Sequence, residues 1–358
     1  MNHKKKHLCG AMLAVALLGQ GTAHAQSSVT LYGQIDSFVG FSRAAGTSGT
    51  AYQVGSGDIQ TSFWGIKGNE DLGGGWKAVF NLNGYFRTNN GTMGASPGSG
   101  LFDRDAYVGL QSDTYGSVRL GRNITPFFYS TALFNPLVDS YGYAPMIVQS
   151  YLALAGRDVY DPGLIGDASW NDSVLYTTPS LAGLQASFIY AFGGKPGAAG
   201  QNKWGGNVIY GNGPFSATLA FQQVRFNETP GDVTAPAALL AFGRQTAVQG
   251  GIAYDLKAVR LFAQGQYIET KVGSVQGDIR HENAQIGASI PIGYGVLLAS
   301  YGFAHACDAV GSLTRNTVGI AYDYRLSKRT DVYVAGQYDI VSGMSHGDAL
   351  GLGIRHNF

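Results

Sequence analysis

The chain has 358 residues, among them 53 Gly, 21 Tyr and 18 Phe; only 13% are charged, and the formal net charge is +1. That balance excludes a strongly basic nucleic-acid surface, and two cysteines, Cys9 and Cys307, are too few for a disulfide framework. Beyond the first residues no apolar run reaches the roughly 18 residues that a spanning helix needs.

The chain opens with a targeting pattern. Lys4, Lys5 and Lys6 form a basic start, Leu8 to Leu18 is a short apolar run, and Ala23-His24-Ala25 is an A-x-A cleavage site. Residues 1–25 therefore read as a secretory signal peptide. Its removal takes three lysines and no acid, which leaves a net charge of −2 and Cys307 as the remaining thiol. Residues 26–358 read as a single domain, because no low-complexity linker divides them. An exported chain rich in Gly and aromatics, poor in charge and without spanning helices points to an outer-membrane β-barrel, with outer-membrane lipid as its surroundings.

The next residues alternate with a period of two. Leu31, Ile35, Val39 and Phe41 oppose Thr30, Tyr32, Gln34 and Asp36, which is a strand with one apolar face. Similar runs follow near 55–69, 74–88, 101–112, 115–123, 170–178, 182–192, 203–212, 214–226, 243–256, 258–270, 282–291, 295–306, 315–326, 330–342 and 347–358. With the first, near 29–42, they predict about sixteen antiparallel strands. In the last, Leu350, Leu352, Ile354, His356 and Phe358 share a face opposite Gly351, Gly353, Arg355 and Asn357. Short connections such as 71–74, 112–115 and 212–213 alternate with long ones such as 43–54, 89–100 and 227–242. That rhythm belongs to an up-and-down transmembrane barrel with tight periplasmic turns and larger external loops. A barrel of sixteen strands leaves an aqueous channel, whereas one of eight is filled by its own side chains.

Residues 124–169 break the rhythm. They hold four prolines and the aromatics Phe127, Phe128, Tyr129, Phe134, Tyr141 and Tyr143. So long a connection is usually functional or disordered, and its aromatic content argues against disorder. It is the third external loop and the one long enough to fold into the lumen. Most of its aromatics are expected to pack it against the inner wall. Asp139, Arg157, Asp158, Asp161 and Asp167 are the charges it could turn to the channel or use to tie itself down.

Several stretches resemble a known family. They are SVTLYG (Ser28–Gly33), WGIKGNEDLGGGWKAVFNL (Trp64–Leu82), RDAYVGL (Arg104–Leu110), GSVRLGRNITP (Gly116–Pro126), NDSVLYTTPSLAGLQASFIYAFG (Asn171–Gly193) and the terminal Phe358. Together they resemble the trimeric general-diffusion porins of Gram-negative bacteria, especially the β-proteobacterial ones. The resemblance implies a homotrimer, an infolded third loop, and a terminal Phe358 presented to the barrel-assembly machinery. It also implies a constriction where basic wall residues face acids on the loop, a transverse field that orients passing dipoles. Arg104 matches a wall arginine. Phe63 stands where the family has another, Asn83 where it has a strand acid, and Asn135 where it has the loop acid. Asp139 is close enough in sequence to take that last role. Arg119 shares a face with Gly121, opposite Val118 and Leu120, and is expected to line the pore. Arg122 breaks that parity and is expected to hold the loop base.

The expected function is passive diffusion of small hydrophilic solutes and ions, with weak ion selectivity because the opposed charges are depleted. The alternative is a channel selective for sugars or aromatic acids through the loop aromatics; an enzyme or adhesin on a barrel is further off. No nucleotide, cofactor, metal or nucleic acid is implied. The sequence lacks G-x-x-x-x-G-K-[ST], H-E-x-x-H and C-x-x-C, and Ser345, His346 and Asp348 are not a nucleophilic triad by spacing alone.

Overall fold

A computed structural model describes residues 28–94, 99–152, 154, 163–164, 168–193, 202–225, 242–272 and 277–358. Residues 1–25, expected to be a signal peptide, and the loop charges Arg157, Asp158, Asp161 and Asp167 lie outside the described residues. The wall strands are β1 (Ser28–Arg43), β2 (Ala51–Ser56), β3 (Phe63–Gly73), β4 (Trp76–Tyr85), β5 (Asp105–Ser112), β6 (Gly116–Ile124), β7 (Ser169–Thr177), β8 (Leu184–Ala191) and β9 (Lys203–Asn212). The circuit continues with β10 (Phe215–Arg225), β11 (Phe242–Asp255), β12 (Arg260–Val272), β13 (Ile279–Ile292), β14 (Gly295–Cys307), β15 (Ser312–Arg325), β16 (Thr330–Val341) and β17 (Gly347–Asn357).

Neighbours in sequence pair antiparallel around the circuit, and β17 closes it on β1, with Gln34 opposite Asn357 and Arg43 opposite Asp348. The last residue completes the seam: Phe358 N–H donates to Gly33 O (3.1 Å), and Gly33 N–H donates to Phe358 O (3.2 Å). Closure leaves no free sheet edge, the condition for strands in hydrocarbon.

Seventeen segments occupy sixteen wall positions. β1 pairs with β3 from Ser28 to Gln34 and with β2 from Ser37 to Ser42. β2 and β3 are thus one wall strand interrupted at residues 57–62. A continuous strand over 55–69 was expected there, because parity alone shows no break. Asp36 explains the interruption: its Oδ2 accepts from Gln60 N–H (3.1 Å), and Ser62 Oγ–H donates to its carbonyl (3.0 Å). These bonds draw 57–62 inward.

Polarity is inverted relative to a soluble protein. Leu219 (71% exposed) and Leu352 (60%) face outward, while Asp36 and Thr317 on the opposite face are at 0%. Aromatics collect at the short-turn end, where Trp76 and Tyr115 stack at 5.6 Å and Tyr294 meets Tyr324 edge-on at 6.4 Å. This is the girdle that a membrane interface favours.

Candidate functional site

Two short helices organise the long connection. α1 is Pro126–Leu133 and α2 is Pro145–Tyr151. Each begins with Pro, whose fixed φ suits the first helical position and whose missing N–H is not needed there. Thr125 caps α1 by accepting Phe128 N–H on Oγ1 (3.1 Å). Neither helix shows an apolar stripe in sequence, because both are buried on several sides: Phe127, Phe128, Met146 and Ile147 are all at 5% exposure or less.

The segment packs on the polar faces of the far wall. Asn207 Nδ2 donates to Pro126 O and to Ser130 Oγ (both 2.9 Å). Thr131 Oγ1 donates to Gln249 Oε1 (2.7 Å) and accepts from Gln266 Nε2 (3.1 Å). Ser150 Oγ donates to Gln266 Oε1 (2.7 Å), and Met146 N–H to Gln285 Oε1 (2.9 Å). Gln149 Nε2 reaches Gly302 O (3.1 Å) and Thr317 Oγ1 (3.0 Å). These wall groups are amides and hydroxyls rather than charges. An amide donates and accepts without bringing a charge to bury.

Room for the segment comes from glycines at close approach. A side chain on Gly287 would meet Pro136, on Gly302 Pro145 and Gln149, and on Gly319 the carbonyl of Tyr143. Phe134 seats over Gly251 in the same way.

The interrupted wall strand holds the other edge. Ser140 Oγ–H donates to Asp58 O (2.8 Å), Gln60 Nε2 donates to Asp139 Oδ1 (3.2 Å), and the Tyr143 hydroxyl donates to the Asp58 carboxylate. Burial under the segment, reinforced by the neighbouring Asp36 carboxylate, pushes the Asp58 carboxyl from 3.8 up to about 7, against the pull of Tyr143. A carboxyl raised in the docked state favours docking most fully below about 4, and that contribution is lost as pH rises through about 7. Docking is therefore expected to be tightest in acid and loosest above neutrality. Current fluctuations in a planar bilayer should become more frequent as pH rises through that window, and Asp58→Asn should flatten the dependence.

Of the residues singled out in the sequence, Arg104, Phe63 and Asp139 come together. The Arg104 guanidinium lies 4.3 Å from the centre of the Phe63 ring and 6.0 Å from that of Tyr85. An aromatic face attracts a cation and holds it flat. The Asp105 and Asp139 carboxylates act on the same charge. Phe63 thus positions the arginine beside it. Arg119 lies one strand away, 4.7 Å from the centre of the Tyr107 ring, on the face opposite exposed Val118 and Leu120. Asn83 is fully buried: its Nδ2 donates to the Tyr32 hydroxyl (2.6 Å), and its Oδ1 accepts Asp105 N–H (3.1 Å). Asn135 is 2% exposed and closes a turn, accepting Leu137 N–H on Oδ1 (3.0 Å). Both are out of reach of solvent, Asn83 bonded through both amide atoms and Asn135 through its Oδ1 alone. Arg122 sits at a bulge between β6 and β7, where Nε donates to Asp103 O (2.6 Å) and a terminal nitrogen to Asn171 Oδ1 (2.8 Å). That holds the loop base as expected and explains the break in parity.

Sequence reasoning missed the Arg355 cluster. Arg355 pairs with Asp323 (2.6 Å) and Asp331 (3.1 Å) and donates to Gln60 Oε1 (3.0 Å), with all three charged side chains 15% exposed or less. Parity placed Arg355 on the polar face, but only the closed circuit brings these groups together. Removing one partner of a buried ionic cluster costs about 3–5 kcal/mol, so Arg355→Ala is expected to lower the urea midpoint strongly. Adding Asp323→Asn should recover part of the loss.

Comparison with known proteins agrees with this architecture. A family model described as Gram-negative porin matches residues 11–343. The chain is 32% identical over 339 residues to outer membrane porin protein 32 of Delftia acidovorans, covering 90% of this chain and 87% of that one. It is 28% identical over 400 residues to an outer membrane porin protein of Bordetella pertussis, covering 97% of this chain and 99% of that one. Among solved structures, an anion-selective porin from Comamonas acidovorans superposes with a TM-score of 0.75 at 27% identity, over 93% of this chain and 100% of that one. The closed sixteen-position barrel, its inverted polarity and these matches place the chain in the Gram-negative porin family, as a channel of the outer membrane.

Proposed function

We propose that the channel is a passive, size-limited diffusion pore narrowed by residues 124–169, with a weak preference for anions. The observation that carries this reading is the amide-anchored packing of α1 and α2 on the polar faces of β9 to β15. That packing fills one side and leaves the β3 to β6 sector as the solute path. Lys67, Arg104 and Arg119 stand on that sector; Asp139 and Asp105 partly offset them. Fixed charge across a narrow aqueous gap selects ions. The Comamonas acidovorans structure is that of an anion-selective porin, and a basic sector facing one or two acids suits a milder form of that preference. The solute gradient drives transport, so the reading needs no catalytic group or cofactor. The working assembly is a homotrimer, and Phe358 at the seam is the residue offered to the barrel-assembly machinery; both follow from the family resemblance. In liposome swelling, rates for uncharged sugars should fall smoothly with solute size and show no saturation. Saturable uptake of one sugar would replace this reading with a sugar-selective channel.

A further inference from the structure

A cavity of about 570 Å³ is lined by an apolar patch of Ile124, Pro126, Tyr129 and Leu175 together with Tyr107 and Arg119, with Arg119 and Leu175 paired neighbours on β6 and β7. Its volume falls within the range of small-molecule sites, and apart from that apolar patch most of its lining is polar, with Asn81, Gln111, Thr177 and Asn207 among it. Among the described residues of the segment Tyr129 is the exposed aromatic, at 54%, whereas Phe127, Phe128, Phe134 and Tyr143 are packed away. Arg119 makes no ion pair among the described residues, and its Nε is buried without a hydrogen-bond partner. An unpaired guanidinium at a cavity wall is a strong donor set for a carboxylate. Two acids also line the cavity, Asp105 and Asp113. Asp105 is flanked by Arg104 as well as Arg119 and accepts Ile124 N–H (3.0 Å), so its charge is shared. Asp113 is exposed in the turn after β5. With Arg104 and Arg119 set against Asp105 and Asp113 the surroundings are near neutral, so Arg119 can take one carboxylate while a second negative charge has no cation left to meet it.

Resting on the diffusion-pore reading, we propose that this cavity is a transit site for aromatic monocarboxylates. The carboxylate sits on Arg119, and the ring lies against Tyr129 and its apolar neighbours. The test is single-channel recording in planar bilayers with benzoate as the probe. Benzoate is expected to interrupt the ion current saturably, acetate to do so about ten-fold more weakly because it lacks the ring and its apolar contacts, and phthalate about ten-fold more weakly because its second charge is misplaced. Arg119→Gln should weaken benzoate block by about ten-fold, and Tyr129→Ala by about three-fold, the size of an aromatic contact. Tyr129 is exposed, so its variant keeps the test independent of any folding defect at Arg119. Equal block by acetate and benzoate would overturn the aromatic part, and block by glucose in place of benzoate would overturn the class. A channel that conducts without benzoate block would remove the site and leave the pore standing. A protein that conducts nothing would remove the pore reading itself.

Discussion

Deleting residues 126–167 is expected to raise single-channel conductance by about two-fold or more, since a sixteen-strand barrel has an open lumen of its own, and to admit larger sugars. The cut is geometrically mild. Thr125 N–H donates to Ala168 O (2.9 Å), and Ile124 pairs with Ser169 in the β6–β7 ladder, so the two ends already meet. A short Gly-Ser turn can join them without moving either strand. The uncovered wall is rich in Gln, Asn and Thr, which water can satisfy as well as the segment did. The apolar side chains of Ile268 and Phe262, now buried against the segment, would be exposed. The shortened barrel should therefore fold, with reduced stability. Unchanged conductance and an unchanged size limit would show that residues 126–167 do not narrow the path.

Gly319→Val should reproduce part of that effect with a single substitution. A side chain at Gly319 points at the carbonyl of Tyr143 and the side chain of Leu137. The strand cannot yield easily, because Gly319 is registered against Ser300 on one side and Gln337 on the other. The segment must move instead, at an overpacking cost of about 1–3 kcal/mol. The expected signature is a noisier current with excursions toward the conductance of the shortened barrel. In the deletion background the same substitution should be nearly silent, because the group it collides with is gone. An additive effect in the double variant would place the damage in the strand rather than in docking.

Much of the wall was legible before any coordinates. Leu350, Leu352 and Ile354 face outward and Gly351 and Gly353 inward, as their parity requires. Counting the alternating runs gave the number of wall positions, and the alternation of short and long connections gave the up-and-down order. Parity did not reveal the interruption at 57–62, since Asp58, Ile59 and Gln60 keep the alternation while leaving the ladder. It also assigned a face without depth. Gln249 and Gln285 look like water-facing residues in sequence, yet they lie beneath α1 and α2 at 3% and 2% exposure. The helices were hidden because a short helix buried on several sides has no polar stripe. Their one local signal was Thr125-Pro126 and Ala144-Pro145, a residue able to precede a helix followed by Pro at its first position. The candidate site was half legible. Arg104 and Arg119 followed from motif and parity, whereas the partners Tyr85, Tyr107, Asp58 and Arg355 depend on strands far apart in sequence.

The depleted charges take on a different meaning in the folded chain. Phe63, where the family resemblance implies an arginine, supports Arg104 from below its guanidinium plane. Asn83 and Asn135 replace expected acids and are tied into wall and turn. The acids that remain near the path, Asp105 and Asp139, each hold a hydrogen bond within the structure. On the function proposed above, a modestly basic wall faces a bulky, largely neutral segment across the solute path.

Single-channel recording of the purified protein in a planar bilayer, with the reversal potential read under a potassium chloride gradient, tests this arrangement most directly. The expected result is a stable, ohmic conductance and a reversal potential displaced modestly toward the chloride equilibrium potential. A strong preference for potassium would contradict the basic path along β3 to β6, and the absence of any conductance would contradict the pore.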